Sequence, residues 1–308
     1  MRVAVLGGSG MLGAMVLACL DRERTYELRA TARDRDGRRL IEERFPGVPV
    51  DALDAESARA EELTDALRGI DWVVNAVGVI KPYIHDDNGA EVERAVRVNA
   101  QFPHALARAA AHAGARVLQI ATDCVYSGVR GGYLESDEHD ARDVYGKTKS
   151  LGEAHLPQIH HLRCSIIGPE ITRHVSLLDW FVRQPAGATV RGFLNHRWNG
   201  LTTLHFGRIC RGIIEGNMDL PHLIHVLPSD IVNKAELLAA MATAYDRRDV
   251  TIVPVDAAMA VDRTLATSQP DLNSQVWQAA GYDAIPSIAG MLGELAETRL
   301  DQGVRTSS

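Results

Sequence analysis

The chain has 308 residues, 46% of them apolar and 24% charged, a balance that supports a packed core and argues against disorder. Its 33 basic against 40 acidic residues give a formal charge of −7, which counts against a nucleic-acid partner, since such a partner calls for a basic face. The length suits one large unit with a smaller companion. Val3 to Leu6 is an apolar run stopped by Gly7-Gly8, a buried strand, and Leu12, Met15, Val16, Cys19 and Leu20 then follow helical spacing. Further strands are expected at Leu28 to Ala32, near Val48 to Val50, at Ile70 to Val74 and at Arg116 to Ala121, with a long helix from about Val92 to Ala113. A sixth strand is expected at Leu162 to Ile167. This alternation predicts an α/β fold with a doubly wound parallel sheet of the Rossmann type.

Residues 169 to 205 break the pattern with Trp180, Phe181, Phe193, Trp198 and two small loops, 185–187 and 195–200. A helix over 203 to 215, a strand at Leu223 to Leu227, a helix near 230 to 245, a strand at Thr251 to Val255 and a C-terminal helix follow, with Arg305 to Ser308 as a frayed tail. Cys19, Cys124, Cys164 and Cys210 are far apart, which fits neither a disulfide framework nor a zinc site, so no metal is expected. The opening residues leave no room for a signal peptide, and no run approaches the ~20 apolar residues of a membrane span. The expectation is a cytoplasmic protein without membrane contact.

The turn Gly7-Gly8-Ser9-Gly10-Met11-Leu12-Gly13 has the spacing of a dinucleotide-binding loop. Gly7 allows the sharp turn, Gly10 lets backbone approach a diphosphate, Gly13 permits close packing, and Ser9, Met11 and Leu12 lie on the same loop. The alternative is a glycine turn with no ligand. About 20 residues on, where an NAD enzyme places an acidic residue, the chain has Arg33, whose guanidinium suits a 2′-phosphate. NADP is therefore expected, with NAD as the alternative through Asp34; a solvated charge cluster is the plainer reading. Asp54 and Ala55 are candidates for the adenine edge.

Tyr145 and Lys149 stand four apart, on one face of a helix. A neighbouring ammonium favours the ionised phenol, and such a tyrosine can give a proton to a carbonyl oxygen as hydride reaches carbon. Thr122 lies at the mouth of the Arg116 to Ala121 strand, the edge where such sheets bind ligands. Pro103 lacks an N–H, which frees the Asn99 carbonyl for a water or for Lys149; a helix kink or a helix starting at Pro103 are the alternatives.

These stretches, with Asn75-Ala76-Val77-Gly78, Val98-Asn99-Ala100, Thr122-Asp123-Cys124-Val125-Tyr126-Ser127-Gly128 and Leu162 to Gly168, resemble the extended short-chain dehydrogenases/reductases. Within them the likeness is to the dTDP-4-dehydrorhamnose reductase family and related sugar-nucleotide reductases, over roughly residues 1 to 230. The resemblance implies that Thr122 bonds the substrate carbonyl, Tyr145 is the acid, and Lys149 holds the cofactor ribose. It also implies cofactor contacts at Ala76, Val77, Gly78 and Asn99, and substrate contacts at Lys81 and Asp123. Cys124 stands where the family's dehydratases carry a glutamate, which argues against dehydration, and where its rhamnose enzymes carry an aromatic residue.

On the substrate side, Arg173, Arg183, Arg191 and Arg197 are interleaved with aromatics, as a nucleotide diphosphate would require; solvated arginines on an amphipathic helix at Leu177 to Val182 are the alternative. Trp180, Arg191 and Asn199 are the candidate contacts there. His160-His161 reads as structural, and Glu135 to Asp143 as a solvated loop at the cleft lip. The expected division is a cofactor domain over 1–168 with 201–228 returning to it, and a smaller, mostly helical substrate domain over 169–200 and 229–308. The expected activity is NADPH-dependent reduction of a 4-keto-6-deoxy sugar nucleotide. An epimerase of the same family is the nearest rival. A cofactor-binding regulatory subunit is the rival from another class, because the beta subunit of methionine adenosyltransferase also resembles these reductases. A homodimer is the expected assembly.

Overall fold

A computed structural model of the chain describes residues 1–22, 26–171 and 174–298. Strand and helix alternate through the first half: β1 (Arg2–Leu6), α1 (Met11–Asp21), β2 (Glu27–Ala32), α2 (Arg35–Arg44), β3 (Val50–Ala52), α3 (Ala60–Ala66) and β4 (Trp72–Asn75). The long helix expected at Val92 to Ala113 is one helical run with a defect. α4 (Gly89–Ala95) passes through a wider turn over Val96–Gln101 into α5 (Phe102–Ala113). Phe102 N–H reaches back to Arg97 O, five residues away, immediately before Pro103, which has no N–H to continue the normal ladder. β5 (Arg116–Thr122), α6 (Val144–Leu151) and β6 (Ile159–Cys164) complete this half.

The second half holds β7 (Ile166–Ile167), α7 (Leu177–Val182), β8 (Thr189–Phe193), β9 (His196–Trp198), β10 (Leu201–Thr202), α8 (Thr203–Glu215) and β11 (Leu223–His225). β12 (Val232–Asn233), α9 (Lys234–Ala244), β13 (Thr251–Val255), β14 (Val261–Asp262), α10 (Pro270–Ala279) and α11 (Ile288–Glu297) follow. The main sheet runs β3-β2-β1-β4-β5-β6-β11, every pair parallel. Its order reverses between β1 and β4, the place where a doubly wound sheet opens a crevice beyond its strand ends. Every residue of β4 and β6 is buried, as expected of strands covered on both faces. One covering layer packs Met15, Leu17, Phe206 and Ile213 onto the sheet, and the other packs Leu63, Leu106 and Ala110.

The strand expected at Leu162 to Ile167 is two strands. β6 ends at Cys164, and Ser165 turns the chain: its carbonyl accepts Leu201 N–H (2.8 Å) and its hydroxyl accepts the Trp198 indole N–H (2.8 Å). Ile166–Ile167 then pairs with Leu201–Thr202 instead of the main sheet. The Glu135 to Asp143 run is the half-exposed to exposed loop expected, with several of its carboxylates engaged by protein groups. Glu135 accepts from Ser268 N–H (2.9 Å) and His225 N–H (3.2 Å), Asp140 from Ser127, and Asp137 from Leu134 N–H, so its carboxylates fasten the loop to distant chain. His160 and His161 bond the carbonyls of Pro221 and Ala154, in keeping with a structural role.

Candidate active site

The glycine turn is built by close approach. Gly7 has φ +76°, a conformation costly for any side chain, and its N–H donates to the Thr31 hydroxyl (3.1 Å). A Cβ at Gly13 would stand 2.2 Å from Gly7 O, so only glycine lets α1 begin this near β1. The first turn of α1 has no acidic residue and no side-chain cap. The N–H groups of Met11 and Leu12 thus start a helix at its positive end without a protein anion, which fits a diphosphate. Ser9 lies against the start of α2, where a Cβ on Gly37 would meet its hydroxyl at 2.9 Å.

Arg33 follows β2, half-exposed, with Nη2 3.2 Å from Asp34 Oδ2. The other oxygen of Asp34 accepts Gly37 N–H (2.8 Å) and caps α2, so this carboxylate is already engaged on both sides. Asp54 closes a local turn by accepting Glu56 N–H (3.1 Å), and Ala55 packs beside Val77 and Val79. Ala76, Val77 and Gly78 leave the end of β4, where Asn75 accepts Val77 N–H (3.1 Å) and donates to Gln119 (2.6 Å).

At the end of β5, the Tyr145 hydroxyl lies beside the Thr122 hydroxyl. Thr122 donates to Asp123 Oδ1 (3.2 Å) and accepts Cys124 N–H (3.2 Å). Asp143 caps α6 through Gly146 N–H (2.7 Å) and takes the Lys81 ammonium (2.5 Å), which fixes the helix carrying Tyr145 and Lys149. Lys149 Nζ donates to Ile120 O at 3.4 Å. Burial, not the lysine, dominates the phenol: it pushes Tyr145 up, against the downward shift expected from the neighbouring ammonium. Burial also lowers Lys149 to about 8. Tyr145 is accordingly held protonated, as a donor to a carbonyl oxygen must be.

The carbonyl relay expected at Asn99 is not what the fold builds. That carbonyl is turned onto Gly152, where a Cβ would stand 1.9 Å from the oxygen, and Lys149 bonds Ile120 instead. α5 begins at Phe102 with Pro103 in its first turn. Asn99 works through its side chain, which accepts Val79 N–H (2.8 Å) and donates to Val79 O (2.9 Å), and so ties the loop after β4 to the helix behind it.

The substrate-side residues divide. Asp123 is buried beside Thr122, and burial raises its carboxyl against the pull of Arg263 and Lys234. Cys124 follows it, its thiol pushed up to about 12 by burial. Asn199 is committed to structure: its amide donates to Leu265 O (2.7 Å) and accepts Leu265 N–H (3.0 Å). Trp180 stands exposed on α7, and Arg191 lies over the Phe193 ring at 5.4 Å. Arg183 packs against His174 and Arg197 pairs with Asp262 (3.4 Å); Arg173 and the 305–308 tail lie outside the described residues. The expected arginine set is therefore dispersed.

Two cations that sequence reasoning passed over face Asp123 instead. Arg263 donates to Tyr126 O (2.9 Å) and Ser127 O (3.3 Å), clamping the loop after Thr122. Lys234 opens α9, a place where a lysine runs against the helix dipole, and that misfit is the one local signal that marks it. Among the described residues, no cluster of three or more His, Cys, Asp or Glu side chains is disposed to hold a metal, and no helix is long and apolar enough to cross a membrane. A cavity of about 400 Å³ bordered by Arg22, Arg208 and Glu294 includes none of these residues.

A seven-stranded parallel sheet with a glycine turn after β1 and a hydroxyl pair after β5 defines a Rossmann-fold protein of the dinucleotide-binding type. Residues 1–167 match the RmlD substrate binding domain family, over half of the chain, and the chain belongs to that family. A dTDP-4-dehydrorhamnose reductase of Mycobacterium tuberculosis is 31% identical over 159 residues, covering 49% of this chain and 44% of the relative. Methionine adenosyltransferase 2 subunit beta of Danio rerio is 27% identical over 164 residues, covering 49% of this chain and 50% of the relative. The chain spans about half the length of the curated relatives it matches. Over nearly the whole chain the fold is similar to that of solved structures. Bacillus anthracis dTDP-4-dehydrorhamnose reductase in complex with NADP superposes with a TM-score of 0.73 at 19% identity, covering 96% of this chain and 99% of that one. A UDP-glucuronic acid 4-epimerase of Bacillus cereus does so with 0.74 at 16% identity, covering 96% and 98%.

Proposed function

We propose that the protein is an NADPH-dependent reductase of a 4-keto-6-deoxy nucleotide sugar, with residues 1–168 and 201–228 holding the cofactor and 169–200 and 229–308 the sugar nucleotide. The observation that carries this reading is the Thr122–Tyr145 hydroxyl pair, with Tyr145 held protonated, at the end of a strand that faces the glycine turn's crevice. Family membership and the reductase names among its relatives support it. The uncapped start of α1 binds the cofactor diphosphate, Arg33 its 2′-phosphate, and Lys149 its ribose. When bound, the nicotinamide supplies a hydride. Thr122 then donates a hydrogen bond to the substrate carbonyl oxygen, and Tyr145 delivers the proton that turns that oxygen into a hydroxyl. The developing negative charge is met by the Thr122 hydroxyl, which Cys124 N–H holds in place and whose one proton turns from Asp123 Oδ1 to the substrate oxygen.

The test is NADPH oxidation, followed by absorbance, with dTDP-, UDP- and GDP-4-keto-6-deoxyhexoses. Stoichiometric oxidation with one of them is expected. Cofactor that is retained and not consumed while the sugar epimerises would replace the reductase with the epimerase. NADPH binding with neither activity would favour the regulatory reading that the likeness to a methionine adenosyltransferase beta subunit suggests.

A further inference from the structure

Lys234 is held by the strand and cap that precede it and rests on an aromatic ring. The β12–β9 pairing sets Val232 opposite Trp198 and Asn233 opposite Arg197, which delivers the next residue to the Trp198 ring. Asn233 and Glu236 form a reciprocal cap on α9, so the backbone of Lys234 is fixed. Its Nζ lies 5.9 Å from the ring centroid of Trp198, and that indole is itself held by the Ser165 hydroxyl. Among the described residues the ammonium makes no hydrogen bond and no ion pair; Asp123 and Cys124 are the charges it feels, and burial lowers its pKa.

An ammonium carries three donors, and among the described residues no side chain or carbonyl takes one of them. The position at the positive end of a helix adds a cost. Asp123 relieves it only in part: its carboxylate favours the charged ammonium without a hydrogen bond to it, and one of its oxygens already accepts the Thr122 hydroxyl. The ammonium's donors are thus free for an acceptor beside Asp123 and Cys124, the two residues that follow Thr122. Of the arginines of the 174–205 segment, Arg183 is turned to His174 and Arg197 to Asp262, and Arg191 lies over the Phe193 ring.

We infer that Lys234, seated over Trp198, is the cation that binds a phosphate oxygen of the substrate's nucleoside diphosphate. This rests on reading the cleft as a nucleotide-sugar site. An ammonium tethered on a four-carbon stem suits a diphosphate, whose oxygens present charge in several directions. The indole beneath it holds the stem in line without competing for its donors.

The experiment is calorimetric titration of dTDP, UDP and UDP-glucuronate into the full chain, its Lys234→Arg form and its Lys234→Met form, with NADPH affinity as the control. Lys234→Met is expected to weaken all three nucleotides about 10- to 100-fold, the scale of one charge-assisted hydrogen bond, with NADPH unchanged and Lys234→Arg retaining most of the affinity. Equal nucleotide affinities in the wild type and Lys234→Met overturn the inference. A loss confined to UDP-glucuronate also overturns it, because it moves the contact to a sugar carboxylate. A wild type that binds NADPH and none of the nucleotides sinks the nucleotide-sugar reading instead. In that event acylation of Lys234, followed by mass spectrometry with and without inorganic diphosphate, decides the matter without any variant. Several-fold protection sustains a phosphate site, and an unchanged labelling rate removes it.

Discussion

Arg163, fully buried in β6, is held by both oxygens of Glu153 at 2.6 and 2.7 Å, across the short turn that follows α6. The same guanidinium donates to the Tyr126 hydroxyl (2.7 Å) and to the rings of His225 (3.0 Å) and His139 (2.8 Å). One cation thereby joins the loop after β5, the end of α6 and the last strand of the sheet. Glu153→Ala should destabilise the protein by about 3–5 kcal/mol, because it leaves a buried guanidinium without its counter-charge. Urea denaturation checks this. Replacing both members with apolar residues should recover part of the loss, and a single-variant cost below about 1 kcal/mol would show the pair to be incidental.

Acid should weaken the fold before most carboxylates are protonated. Burial pushes His161, His205 and His225 down to about 4. His225 donates from Nδ1 to Ala266 O (2.7 Å) and accepts at Nε2 from Arg163, which requires the neutral ring. The unfolded chain takes up these protons near 6.5 and the folded chain does not. Stability is therefore complete above about 6.5 and declines as pH falls toward 4. Thermal unfolding between pH 8 and 4 would show a steady drop in Tm through that window; a flat profile would contradict the assignment.

Tyr145→Phe removes the proposed proton donor and leaves the helix that carries it. Turnover should fall about 10²- to 10⁴-fold, with NADPH affinity little changed. Near-normal turnover would reassign the acid.

Arg33→Ala should weaken NADPH by about 10-fold or more while leaving NADH nearly unaffected, since the proposed partner of this half-exposed guanidinium, the 2′-phosphate, is present in NADPH and absent from NADH. Parallel titrations of the two cofactors decide it. Equal losses would assign Arg33 to the cap of α2 through Asp34.

The elements legible in the sequence were those with a local cause. Val3 to Leu6 and Gly7 to Gly13 announce a strand and a turn because burial on both faces and a 2.2 Å approach leave few other residues usable. The helix at 203 to 215 and the strand at Thr251 to Val255 were readable from spacing alone. The Tyr145 and Lys149 pair was legible because four residues make about one helical turn. Val96 to Gln101 was half-legible: Pro103 signals a defect, but the route of the Asn99 carbonyl depends on Gly152, 53 residues away in the chain.

By itself the sequence determined the alternation of strand and helix, the glycine turn and the spacing of Tyr145 and Lys149, since each is written in residues within one turn or one strand of another. Only the tertiary structure decided which charges meet in the cleft. It turned Arg183, Arg191 and Arg197 to His174, Phe193 and Asp262, bound Glu135 to Ser268, and brought Arg263 to the loop at Tyr126. It also seated Lys234 on Trp198, through a strand pair of two residues. Contacts such as Glu135 to Ser268 and Arg263 to Tyr126, across more than a hundred residues, leave no periodic trace, and a charged side chain looks the same in sequence whether it ends in water, on a ring or in an active site.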